Sequence, residues 1–174
     1  QGQRRILCRM LEESLYSGQG ERALFLISTL GSMGTDTAMI HYWNARAAWS
    51  AGLPELAINT LEQIYSADPW LNSRARGTAH LYRGNPEEAC SCFLVSLAQA
   101  ETMRRQFWSS MDLCLAYLQQ GSPGEALWLS RMMVDGFPGD ALAPVIYGLS
   151  LNASGHHAEA AGVLSSAGSG STSA

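Results

Sequence analysis

Gly77-Thr78-Ala79-His80-Leu81-Tyr82-Arg83-Gly84-Asn85-Pro86-Glu87-Glu88-Ala89 is the stretch on which the fold turns. Gly77 is a small residue on a helical face, and Gly84 supplies the left-handed turn that ends the helix. Pro86 and two acids suit the first turn of a following helix, and Ala89 begins its apolar stripe. The same step from a turn glycine to an alanine five residues on recurs at Gly18/Ala23, Gly52/Ala57, Gly121/Ala126 and Gly155/Ala160. Successive glycines lie 34, 32, 37 and 34 residues apart. A self-similar unit of this length buries its apolar face only by stacking on its neighbours, the mark of a solenoid.

Outward from that stretch, the spacing predicts first helices over 4–17, 36–51, 71–83, 107–120 and 141–154, each ending at its glycine. The second helices open on Leu53-Pro54-Glu55, Asn85-Pro86-Glu87 and Ser122-Pro123-Gly124-Glu125, with Asn85 and Ser122 as natural N-caps. Small residues recur seven places before the turn glycine, at Ala45, Gly77, Cys114 and Gly148, where two helices must approach closely. Leu11 takes that place in the first unit. The interval of 37 residues predicts that the third second-helix extends through Glu101 to Arg105.

Gly77-x-x-His80-Leu81-Tyr82-x-Gly84-Asn85-x-x-Glu88-Ala89 with Phe93, repeated over Ala45–Ala57 and Cys114–Ala126, resembles the tetratricopeptide repeat (TPR) family. The resemblance implies an all-α, right-handed α-solenoid, a superhelix of about five TPR-like helix pairs. The repeats fall at 4–35, 36–69, 70–106, 107–140 and 141–167, giving one domain over 1–167 and a flexible tail or linker over 168–174. Family likeness also implies that the first helices line the concave wall. The register then points Arg9, Met39, Tyr42, Trp43, Arg46, Trp49, Arg74, Thr78, Tyr82, Trp108, Met111 and Asp112 into a groove as partner-binding residues. An aromatic groove with interspersed arginines suits an amphipathic helix or extended peptide. Trp49 is equally readable as core. Members that clamp acidic chaperone tails use lysine, asparagine and arginine where this chain has Cys8, Glu12, Trp43, Leu71 and Ala75, so that role is not expected. On the second helices, Phe25 and Trp128 share one register that points outward, but a slip of one residue would bury them, and burial is the reading preferred of the two.

Composition narrows the function classes. Charged residues make up 15% of the chain, which leaves much surface without solubilising charge. A net charge of −4 speaks against nucleic acid, and no run of apolar residues reaches membrane-spanning length. Cys8, Cys90, Cys92 and Cys114 read as core thiols of a reducing, cytoplasmic setting. His156-His157 lacks converging ligands, so no metal or cofactor is expected. Cys114 fills a packing slot, which argues against a Cys114–His80 nucleophile and base. The expected function is therefore non-catalytic: a scaffold, adaptor or chaperone-like module for a protein or peptide partner. The rival expectation is a regulatory or assembly domain of a longer protein, such as a bacterial transcription regulator's effector domain or a subunit arm. Solenoid ends without polar caps predict homo-oligomers or further attached sequence.

Overall fold

The computed structural model describes residues 2–169, which form ten α-helices. They are α1 (Gly2–Tyr16), α2 (Gly20–Ser32), α3 (Thr37–Ser50), α4 (Pro54–Glu62) and α5 (Pro69–Tyr82). There follow α6 (Pro86–Ala98), α7 (Met103–Gln120), α8 (Pro123–Gly136), α9 (Leu142–Ala153) and α10 (His157–Ser169). All five predicted turn glycines adopt positive φ, between 71° and 84°, where a side chain would be strained. The alanines five residues beyond them, Ala23, Ala57, Ala89, Ala126 and Ala160, are all buried. The repeat signature is thus a packing signature: a glycine reverses the chain and a methyl group seats the returning helix.

The chain divides into two compact units, Gln1–Arg83 and Gly84–Ala174. The division falls at the Gly84 turn, so the third predicted repeat gives α5 to the first unit and α6 to the second. A single domain over 1–167 was the expectation from the period. In the first unit each helix packs on the next, and α1 also meets α3. Leu11, Leu26, Leu30, Leu61 and Leu71 form its apolar centre. In the second unit α6 through α10 pack in the same serial manner, and α7 meets α9. Phe93, Phe107, Leu113, Met133 and Ile146 are buried there.

The small-residue rule explains the closest helix approach. A Cβ on Gly148 of α9 would lie 2.6 Å from the Leu164 side chain of α10, so no larger residue fits without movement. Cys114 of α7 lies under α8, its thiol 3.8 Å from the Ala126 carbonyl. Burial pushes that thiol up to about 12. Such a sulfur is packing material and not an activated nucleophile.

Three local expectations need correction. The long third interval does not lengthen α6, which stops at Ala98; it lengthens α7, which begins at Met103 and not near Phe107. Thr102 is the reason: it is extended, and its hydroxyl accepts from the Arg105 N–H as an N-cap. Asn85 and Ser122 make no side-chain cap, whereas Asp68 accepts from the Trp70 N–H ahead of α5. Finally, α10 runs through Gly168 to Ser169, where a tail was expected, and 170–174 lie outside the described residues.

Candidate interaction surface

Glu12 organises the predicted wall of the first unit. It stands on α1, six residues before Gly18; Arg46 on α3 and Thr78 on α5 stand six before their own glycines. Equal register on successive first helices brings these side chains together. The Trp43 indole N–H donates to Glu12 Oε1 at 2.8 Å, and Arg46 Nη1 donates to Oε2 at 3.1 Å. Arg74 Nη1 approaches Oε1 at 3.5 Å. The Tyr42 hydroxyl lies 3.3 Å from Thr78 Oγ1, which itself donates to the Arg74 carbonyl. Tyr42, Trp43, Arg46, Arg74, Thr78 and Glu12 are all buried.

Rings complete the cluster. The Arg46 guanidinium sits 4.2 Å from the Tyr16 ring centre, and Arg74 lies over Tyr42 at 4.8 Å and Trp70 at 5.3 Å. Aromatic faces attract cations, and the attraction grows as water is removed. Burial works against the Arg46 charge, yet Tyr16, Tyr42, Glu12 and Tyr82 outweigh it and raise its pKa well above the usual guanidinium value. One buried carboxylate lies between two buried guanidiniums, so without its charge both cations would be uncompensated.

These positions correct the expectation of an open aromatic groove. Tyr42, Trp43, Arg46, Arg74 and Thr78 are sealed inside the first unit, because the charge pair and the indole hydrogen bond draw α1, α3 and α5 together. Trp108, Met111 and Asp112 are likewise buried in the second unit. There Arg104 covers the Trp108 ring at 4.4 Å and pairs with Asp140 at 2.6 Å, while Phe107 packs edge-on against Phe137. Of the twelve predicted residues, four keep accessible surface: Arg9, Met39, Trp49 and Tyr82. Arg9 is held by Glu13 one turn along α1 at 2.8 Å. Trp49 is 37% exposed and stacks on Tyr82, ring centres 3.9 Å apart and planes 8° from parallel.

The second helices carry the larger exposed apolar groups. Phe25 is 71% and Trp128 66% exposed, so their shared register does face solvent. Leu24, Leu56, Leu94, Val95 and Met132 are also exposed. Sequence reasoning did not single out the leucines, although their register relative to the turn glycine is as legible as that of Phe25. Among the described residues, no helix is long and apolar enough to cross a membrane and no cluster of metal-ligating side chains forms. None of the four cysteines is in a disulfide, and His157 bonds Asn152.

No protein-family model matches the chain, and no curated protein matches it. Solved structures do. A kinesin light chain-like protein of Podosopora anserina, with nearly identical TPR-like repeats, superposes with a TM-score of 0.58. The two are 17% identical over 98% of this chain and 97% of that one. MamA superposes with a TM-score of 0.53 at 17% identity, over 94% of this chain and 89% of that one. At such identity the likeness speaks for architecture alone. With the helix order, the left-handed glycines and the buried alanines, it establishes that this chain has a TPR-type all-α fold.

Proposed function

We propose that the chain is a non-catalytic protein-interaction module, an adaptor or scaffold that holds a peptide or helical segment of a partner protein in the cytoplasm. The Trp49–Tyr82 stack carries this reading. It is the accessible part of the aromatic stripe, and Tyr82 interacts electrostatically with Arg46 of the buried Glu12 cluster. Rigid aromatic surface gives large contact area at small entropic cost, so such pairs serve as anchors for partner side chains. Tyr42, Trp43, Arg46, Arg74 and Thr78 then act as the frame and not the contact. Cysteines outside any disulfide fit a reducing compartment.

The test is affinity capture from the native host with the intact chain and with a Trp49→Ala/Tyr82→Ala variant, both checked for helicity by circular dichroism. The reading expects a partner that is retained by the intact chain and lost by the variant. Equal retention by two equally helical proteins contradicts it.

A further inference from the structure

A trench runs along the second unit between α6 and α8. Leu94 and Leu97 of α6 form one wall, Leu113 and Tyr117 of α7 the floor, and Trp128 and Leu129 of α8 the other wall. Its volume is about 520 Å³, ample for several apolar side chains. Its rim is open to solvent: Trp128 and Leu94 are among the largest exposed apolar groups of the unit. An apolar trench bounded by two helices matches a third helix laid along it, read through anchors at helical spacing.

The charge around it selects the partner. No basic residue lines the trench, and Glu125 does. Glu125 acts electrostatically on the floor residue Tyr117. Glu125 is exposed and, among the described residues, in no ion pair. It stands in the first turn of α8, where the helix dipole offsets roughly half its charge, leaving that edge of the trench negative. The whole unit leans the same way. From Gly84 onward the sequence has three arginines, no lysine and eight acids, a net −5; the first 83 residues have eight arginines and seven acids, a net +1. The two together give the chain's −4.

We propose that the α6–α8 trench docks a cationic amphipathic helix of a partner protein, its apolar face in the trench and its basic residues against Glu125. The proposal rests on the reading of the chain as an interaction module, and it adds a second contact site with a defined partner chemistry. Complementary charge at the rim sets orientation and encounter rate, while the apolar anchors set residence time.

The probe is a fluorescein-labelled, roughly 18-residue amphipathic Leu/Lys peptide, about 27 Å long as a helix, with a Leu/Glu peptide of the same pattern beside it. Anisotropy titrations use the full chain. The Leu/Lys peptide is expected to bind and the Leu/Glu peptide not to. Leu94→Ser/Trp128→Ala should weaken binding about tenfold or more, as expected for removing central anchors. Glu125→Gln should weaken it several-fold and flatten its salt dependence. Binding by both variants equal to that of the unchanged chain, or equal binding of the two peptides, overturns the proposal. So does a wild-type dimer in sedimentation that Leu94→Ser/Trp128→Ala converts to monomer, since a second copy would then be the occupant. Loss of the Leu/Lys peptide in Trp49→Ala/Tyr82→Ala but not in Leu94→Ser/Trp128→Ala overturns this site while leaving the module reading intact.

Discussion

The two units use one repeat register and fill it on their first helices with opposite chemistry, charged and buried in the first, aliphatic and partly exposed in the second. In the first, the place six residues before the turn glycine holds Glu12, Arg46 and Thr78; in the second it holds Leu115 and Leu149. Four residues earlier the first unit has Cys8, Tyr42 and Arg74, and the second has Met111 and Val145. A buried carboxylate with two guanidiniums and an indole therefore fills in one unit the register that in the other holds half-buried Leu115 and Val145 and exposed Leu149. The exchange has physical consequences. Aliphatic packing tolerates small changes of volume, whereas a charged cluster is stable only when complete. The first unit is the more brittle of the two, and its wall cannot open toward a ligand without exposing a network that holds three helices.

The largest break in this comparison should come from Glu12→Gln. Removing one charge leaves Arg46 and Arg74 buried together, at a cost of about 3–5 kcal/mol in urea unfolding. Replacing Arg46 and Arg74 by methionine in the same chain should recover most of that loss, because the uncompensated charge is gone. In the second unit the corresponding Leu115→Met change should cost less than about 1.5 kcal/mol.

A second contrast is alkaline. The Cys114 thiol has its pKa raised from 9.0 to about 12 by burial, so the folded state holds the proton more tightly than the unfolded one. The stability this gives is fully present below pH 9 and is lost as pH climbs toward 12. Thiol titration of the native protein near neutral pH should accordingly leave Cys114 unmodified until the second unit unfolds. Rapid labelling of Cys114 in folded protein contradicts its placement under α8.

Smaller effects sharpen the helix assignments. Gly148→Ala should cost about 1–3 kcal/mol by pressing on Leu164, with the loss confined to the second unit. Thr102→Ala should cost about 1 kcal/mol through the lost cap of α7, while Asn85→Ala and Ser122→Ala, which remove no side-chain cap, should cost less. Urea midpoints at constant slope are the readout for all four.

What the chain discloses without coordinates follows from the range of the interaction. The glycine turns and the buried alanines are local, set by φ at one residue and the step to the next helix, so Gly18/Ala23 through Gly155/Ala160 are readable directly. The shared register of Phe25 and Trp128 follows from the same local step, but a one-residue slip separates solvent from core there, and the packed helices overturn the preferred reading of burial. Thr102 is also local, but proline-led helix starts elsewhere in the chain drew the reading of the third interval toward α6. The Glu12 cluster is different in kind. It depends on how closely α1, α3 and α5 approach, and a helical register cannot distinguish a groove wall from a closed seam. Opposite charges at one register, Glu12 with Arg46, are the sequence signal for closure, since such charges on adjacent helices pair and exclude water. The trench between α6 and α8 is equally a product of helix spacing, with Leu94 and Trp128 on separate elements.

Hydrogen exchange of the five tryptophan indoles tests the closed first unit most directly. Trp43 donates its N–H to buried Glu12, whereas Trp49 and Trp128 reach solvent. The structure predicts that the Trp43 indole exchanges orders of magnitude more slowly than those of Trp49 and Trp128, approaching the rate of unfolding. Exchange of Trp43 as fast as that of Trp49 would contradict a sealed wall and return Tyr42, Trp43 and Arg46 to an open groove.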